Sequence, residues 1–520
     1  MPVHGSWGGN ASMQCPHCAH QNPEGYAFCG RCGRPGNTAA VLTETRPSAE
    51  KPVAKPESGQ DEATRYLCAA AHLDTAFAER LVTKVLEEPL RAVVQSPALN
   101  LGAVLRHVAA ARGRHLTRDG CLVFAVLIFL VGLVVASGLL LVLSLIGAWV
   151  AVFVEAYAAR WGEQARTLRR DEFDADATPE PTQPLLREQI ARAEESTGGN
   201  VTAYSGYEPF MGYGATIHAW SMALDVTTPD DADEPVKSFT VDELYGQLRA
   251  ALTGLDHPRL NVHERLFIDG GDIHHDNRFL TGRPVRPVTS VPDELMSRLR
   301  EHPEDRARPY LVTEIVGWGG ELVFTAFLRV VLTSTNLFVE ASYSLLPPMH
   351  KSYHVIDQLL HTPTVRQLFA LLGRSAVQML PMLLACIPRT ARQAFARFRQ
   401  ARKARRQRRE MQQFGSFDHG ALISIREAAS EMRAGAQPGY HRYFQVLDKE
   451  MYTKVVEKKI FDTVGEFLKD RNIDPAELRR RVEGIINNGV MIGGEAKVTG
   501  GVFGGRAAKV MGKVFLKEDR

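Results

Sequence analysis

GCLVFAVLIFLVGLVVASGLLLVLSLIGAWVAVFV, residues 120–154, holds no charged side chain and is bounded by Asp119 and Glu155. One helix crossing a hydrocarbon core about 30 Å thick needs about 20 apolar residues. This stretch would make a helix of roughly 52 Å, too long for one comfortable crossing. Ser137-Gly138 near its middle offers a break, so two tight helices, Asp119–Ala136 and Leu139–Tyr157, are predicted as a transmembrane hairpin over residues 119–158. Arg106, Arg112, Arg114 and Arg118 flank one end, and Arg160, Arg166, Arg169 and Arg170 the other. Equal positive charge on both flanks places both in the cytoplasm. Trp149, Tyr157 and Trp161 serve as interface anchors.

Upstream, Leu67, Ala70, Ala71, Phe77, Leu81, Val85 and Leu86 recur at helical spacing, and a second helix is predicted over Pro97–Leu116. Residues 64–118 are therefore a helical segment with an ordinary packed face, on which Cys68 is a buried thiol. Residues 35–63 mix Pro, Ala, Glu, Lys, Ser and Thr without apolar period and form a disordered linker.

Of seven cysteines, four lie at Cys15, Cys18, Cys29 and Cys32, two Cys-x-x-Cys pairs. Such spacing turns both sulfurs of a pair toward one point, and Gly30 and Gly33 permit the tight turn. Residues 13–34 have almost no apolar core, so metal binding is what folds them. Four thiolates leave no open position on the ion. The expectation is one structural Zn²⁺ in a reducing compartment, in preference to a redox dithiol, which needs a larger fold around one reactive pair. The segment CPHCAHQNPEGYAFCGRCGRP resembles the small zinc ribbons at the N-termini of many bacterial membrane proteins, apart from Ala19, where a glycine is common.

Downstream, residues 159–199 are an acidic, proline-containing linker. Residues 200–348 carry strand-like runs at Asn200–Tyr204, Thr216–Val226, Leu260–Ile268, Tyr310–Val316, Leu322–Val331 and Leu337–Tyr343, with helices at Val241–Leu255 and Pro292–His302. Strands dominate, which makes an α+β soluble domain. Three constellations there invite a functional reading. The Gly206–Gly214 loop could cradle phosphate, but lacks a P-loop or dinucleotide pattern and is read as a connection. Asp269, Asp272, His274, His275 and Asp276 could hold a divalent ion, yet Asp and Gly are also what a hairpin turn demands. Trp318-Gly-Gly-Glu321 is read as a turn with Glu321 solvated.

Val365–Ile387 is apolar but broken by Arg366, Arg374, Gln378 and Pro381, so residues 364–410 are predicted as an interfacial apolar helix followed by a basic one. Arg389–Arg409 holds ten basic and no acidic residues. Beside an apolar stretch, that run is assigned to anionic lipid in preference to nucleic acid. Residues 411–520 form a mixed C-terminal α/β region: Asp448–Leu468 has one packed helical face, Asp474-Pro-Ala-Glu477 opens another helix, and a Gly-rich tail follows.

The chain resembles uncharacterised actinobacterial membrane proteins with an N-terminal zinc ribbon, through RYLCAAAHLD at 65–74, YSGYEPFMGYG at 204–214 and WGGELVFTAFLR at 318–329. That resemblance implies no activity and no catalytic residues. With 520 residues, several units are expected. The expectation is a multidomain, multi-pass cell-membrane protein with its ribbon and soluble regions cytoplasmic. Its function is read as an interaction or sensory scaffold whose protein partners the sequence does not name. No nucleophile with recognisable context is present, so the residues point away from catalysis. An enzyme acting through residues 200–348 and a nucleic-acid-binding membrane protein are the alternatives.

Overall fold

The computed structural model describes residues 12–14, 21–23, 61–181, 183–281, 285–413, 417–430 and 439–488. The chain divides into two compact units, residues 1–57 and 58–520. In the first, β1 (Ser12–Gln14) pairs antiparallel with β2 (Gln21–Pro23), in register Met13 to Asn22. Cys15, Cys18, Cys29 and Cys32 lie outside the described residues, as do nearly all of the linker and the Gly-rich tail.

The second unit begins with a helical core. Helix α1 (Asp61–Leu73) is followed by α2 (Thr75–Leu81), whose first turn is capped by the Asp74 carboxylate accepting from the N–H groups of Ala76 and Phe77. A π-helical turn over Val82–Leu86 extends it. Helix α3 (Leu101–Val134) starts where the Asn100 side chain accepts the Ala103 N–H. Leu67, Phe77, Leu81, Val104, Leu105 and Val108 bury their side chains together. Each such burial contributes about 1.5–3 kcal/mol, so the helical stripe read from sequence is core.

Helix α3 does not stop at the apolar boundary. It runs unbroken for 34 residues, from this core through Asp119 to Val134, so the helix expected to end near Leu116 and the first hairpin helix are one element. No proline or paired glycine interrupts it, which is why it continues. The break falls at Val135–Ser137, with Ala136 at φ 53°, and α4 (Gly138–Trp161) returns. Phe124, Leu127, Val131, Val134, Leu139 and Val142 are exposed. At the hairpin's base Arg118 is paired with Asp119 at 2.8 Å and lies 3.6 Å from Glu155.

Two short helices follow, α5 (Glu163–Arg166) and α6 (Pro184–Glu195). The chain then builds a six-stranded mixed sheet with four more helices around and between its strands: β3 (Val201–Tyr204), β4 (Ala215–Asp225), α7 (Val241–Thr253), β5 (Leu260–Asp269), α8 (Asp293–Glu301), β6 (Ala307–Gly317), β7 (Leu322–Leu332), β8 (Asn336–Leu346), α9 (Val365–Ala394) and α10 (Ala396–Gln413). The strand order is β3-β5-β6-β7-β8-β4, with β3 parallel to β5 and every other pair antiparallel. The chain ends its described course in α11 (Ile425–Ala428), α12 (Tyr443–Asp470) and α13 (Ala476–Asn488).

Period-two alternation sends Trp220, Leu224, Ile315, Phe324, Ala326, Val339 and Tyr343 to one face, where Leu244 and Leu248 of α7 and Val456, Ile460 and Val464 of α12 cover them. Residues 443–470 thus share a core with the sheet. The opposite face carries Phe267, Tyr310, Val312 and Phe327, roofed by Phe210 and Tyr213, and beyond them a row of polar residues.

Helices α3, α4 and α9 are each long and apolar enough to cross a membrane. Helix α9 packs against the other two, but obliquely. Leu371 sits with Ala156 and Trp161 near the base of α4, while Cys386, some 22 Å further along α9, sits with Leu122 and Ala125 near the base of α3. Arg389 then lies 4.0 Å from Asp119. A helix parallel to the hairpin would by that point have reached toward its tip.

Candidate functional site

The polar row on the sheet opens into a large cavity, about 1120 Å³, lined from one side by β5 and β6 and from the other by residues 95–102 and Arg106. Alternation on β5 brings Asn261, His263 and Arg265 to this face, and the register pairs Asn261 with Glu314 of β6. Asn261 Nδ2 donates to Glu314 Oε2 at 3.3 Å. His263 Nε2 stands 3.8 Å from Glu314 Oε1. Arg265 donates to Gln95 Oε1 at 2.6 Å and to Thr202 Oγ1 at 3.2 Å, joining the sheet to the helical core.

Burial sets the protonation here. It pushes the Glu314 carboxyl up, against the opposing pull of Asn261 and Arg265. It pushes the His263 imidazole down to about 4, helped by the charges of Arg265 and Arg249. At neutral pH the imidazole is uncharged, so its contact with Glu314 is dipolar and not ionic. A cleft holding a raised carboxyl, a neutral imidazole and guanidinium groups can bind a small polar or anionic molecule and exchange a proton with it.

Sequence alone did not single out these residues. Asn261, His263 and Arg265 alternate along β5 as a solvated sheet face would. Only the covering segment at 95–106 turns that face into a cavity wall.

The glycine loop at 206–214 does use its amides to hold an anion, and the anion is the chain's own. Glu427 Oε1 accepts from Gly212 N at 2.8 Å and Gly214 N at 2.9 Å. Gly214 takes φ 88°, and a Cβ there would sit 2.1 Å from the Leu345 carbonyl oxygen. Beside it, the fully buried Arg426 guanidinium donates to the carbonyl oxygens of Glu321 at 2.8 Å and Pro347 at 3.0 Å.

The Asp269–Asp276 segment forms a turn, as its Asp-Gly content demands. Asp269 accepts from Gly271 N at 2.9 Å, Asp276 is bound by Arg278, and Asp272 lies 3.4 Å from Arg306. Asp269, Asp272 and His274 do not line the large cavity. Trp318–Glu321 is also a turn, joining β6 to β7, but the expected solvation of Glu321 does not hold. Its side chain is 15% exposed and contacts His354. The turn takes positive φ at Trp318, Gly319 and Gly320, which swings Glu321 back over the fold.

At the base of the hairpin a second cavity, about 260 Å³, is lined by Arg112, His115, Arg389, Arg392 and Arg399 together with Glu79, Glu87 and Asp119. In α10, Lys403 is paired with the buried Glu88 and Gln407 donates to the same carboxylate at 3.1 Å. Arg399, Arg402, Arg405, Arg406 and Arg409 remain exposed.

Residues 219–499, more than half of the chain, match the AbeC-like domain. The chain belongs to the AbeC-like family. Neither a curated protein nor a solved structure matches it. The AbeC-like domain contains His263, Glu314, Glu321, His354 and Glu427, together with α9 and α10, whereas the helical core and the hairpin precede it.

Proposed function

We propose that this AbeC-like chain is a membrane-anchored cytoplasmic scaffold that senses a small polar ligand and presents contact surfaces to protein partners. The observation that carries the reading is helix α3. Its residues Leu101, Gly102 and Arg106 line the large cavity, and the same helix continues into the exposed apolar hairpin. Occupancy of the cavity therefore acts on an element embedded in the membrane, with no flexible joint between.

Three further assignments belong to this reading. Cys15, Cys18, Cys29 and Cys32 hold a structural Zn²⁺ in an N-terminal ribbon, a reading supported by the β1–β2 pairing, whose connecting residues include Cys15 and Cys18. The zinc shapes a contact surface and performs no chemistry. Helix α9 lies in the membrane interface, which its oblique crossing and its exposed row Phe369, Val377, Leu380, Leu384 and Ile387 favour. Arg389–Arg409 rests on anionic lipid, the arginine-lined cavity at the hairpin base receiving headgroup phosphate.

The test is affinity capture of the full chain from its native membrane, with hydrogen exchange of the captured complex. Recovery of a defined protein partner, with altered protection at residues 101–106, supports the scaffold. A chain captured without partners, with cytoplasmic reporters at residue 60 and at the C-terminus reading periplasmic, overturns it. One observation favours an enzyme as second reading: Glu314 and His263 face one cavity with displaced proton affinities. Turnover of a polar substrate that Glu314→Gln abolishes would establish it.

A further inference from the structure

Away from that cavity, Glu321, His354 and His441 converge from three places: the β6–β7 turn, the 3₁₀ turn over Lys351–Gln358, and the residues leading into α12. One ligand atom from each lies within 4.8 Å of the other two. His354 Nε2 contacts Glu321 Oε1, and the two imidazole rings stand 5.0 Å apart at 77°. Tyr66 packs its ring 4.3 Å from His354 and donates its hydroxyl to Asp357 at 2.5 Å, fixing the 3₁₀ turn from the side of α1. Arg426 fixes the other partner by holding the Glu321 carbonyl.

A carboxylate–imidazole pair would account for Glu321 and His354 alone. It does not account for a third ligand atom, from His441, reaching the same point. Trp318 is held at φ 53°, a conformation costly for a bulky residue, in the turn that delivers Glu321. Side-chain exposures of 15% for Glu321 and 22% for His354 leave an opening for an ion while removing most of the water.

We propose that Glu321, His354 and His441 bind one divalent transition-metal ion of the zinc type. Two imidazoles and one carboxylate suit Zn²⁺, Co²⁺ or Ni²⁺, whereas Mg²⁺ and Ca²⁺ want oxygen ligands throughout. Three protein ligands leave a coordination position open. The ion ties the β6–β7 turn to α12 across the sheet domain, and it is separate from the four-cysteine ribbon.

The full chain carrying Cys15→Ser, Cys18→Ser, Cys29→Ser and Cys32→Ser, purified in detergent and stripped of metal, isolates the site from the ribbon. Dialysis against Zn²⁺ alone should leave one equivalent bound and raise the unfolding temperature in proportion to the logarithm of free metal. Co²⁺ should give a visible spectrum without the thiolate charge-transfer band a cysteine site shows. His354→Ala and His441→Ala should each weaken binding at least tenfold, with far-UV circular dichroism unchanged as the check on folding. Failure of the ribbon-free chain to take up metal would overturn the proposal. So would uptake that persists at full affinity in the folded His354→Ala/His441→Ala double variant.

Discussion

Glu427 places one carboxylate oxygen 2.8 Å from the N–H of Gly212 and 2.9 Å from that of Gly214, so a helix near the end of the sheet domain closes a loop near its start. Removing the carboxylate leaves two buried donors unpaired, at about 1–3 kcal/mol each. Glu427→Ala should therefore lower the thermal midpoint clearly, and Glu427→Gln, which keeps an oxygen acceptor, should lower it less. Gly214→Ala should be worse than either, because its Cβ meets backbone at 2.1 Å in a φ 88° conformation. Thermal denaturation of the three variants ranks them. Equal midpoints for Glu427→Ala and the unaltered chain would remove the carboxylate from the loop's support.

The cavity gives stability a pH dependence with two opposed arms. Burial raises the Glu314 carboxyl, so its cost is absent below the ordinary carboxylate range and grows as pH rises through its folded value. Glu314→Gln should therefore raise the midpoint at pH 8 and leave it unchanged near pH 4. His263 is pushed down to about 4, so the unfolded chain binds its proton first and stability falls as pH drops from about 6.5 toward 4. His263→Asn should flatten that acid arm. Denaturation midpoints between pH 4 and 8 check both. A Glu314→Gln gain as large at pH 4 as at pH 8 would contradict the charge argument.

If the four N-terminal cysteines bind zinc, Cys29→Ser should cost the purified chain about one Zn²⁺ by metal analysis. Because residues 1–57 and 58–520 are separate compact units, the unfolding of the larger one should be unaffected. A midpoint shift of many degrees in the larger unit would mean that the ribbon supports it.

Arg402, Arg405, Arg406 and Arg409 are exposed on α10, Arg406 beside Glu410 at 2.8 Å, while Lys403 is paired with the buried Glu88. At about 1 kcal/mol for each basic residue near an anionic surface, replacing all four by Ala should weaken the preference for anionic over zwitterionic lipid by about two to three powers of ten at low salt. Lipid exchange into nanodiscs of mixed composition measures it. Tighter binding of duplex DNA than of anionic lipid by the unaltered chain would reassign the run to nucleic acid.

Local pattern sufficed wherever one residue's neighbours along the chain decide its fate. The charge-free run at 120–154 and the break at Ser137-Gly138 determined the hairpin, because backbone satisfaction and helix length depend on nothing distant. Period-two apolar runs likewise placed all six sheet strands, and Asp-Gly content placed the turn at 269–276. The unbroken passage of α3 from soluble core to hairpin was legible in principle, since nothing between Leu101 and Val134 stops a helix. The change in composition at Asp119 suggested a boundary that helical hydrogen bonding does not recognise.

What sequence could not supply was which polar residues meet. Asn261 and Glu314 are brought side by side by strand register, and Glu321, His354 and His441 by the packing of three distant segments. A polar residue on an alternating strand looks solvated until something covers it, and covering is a property of long-range contacts. The hairpin was thus written in the chain. The cavity, the Glu427 clasp and the histidine–glutamate cluster exist only because the folded chain desolvates groups that are unremarkable where they stand in sequence.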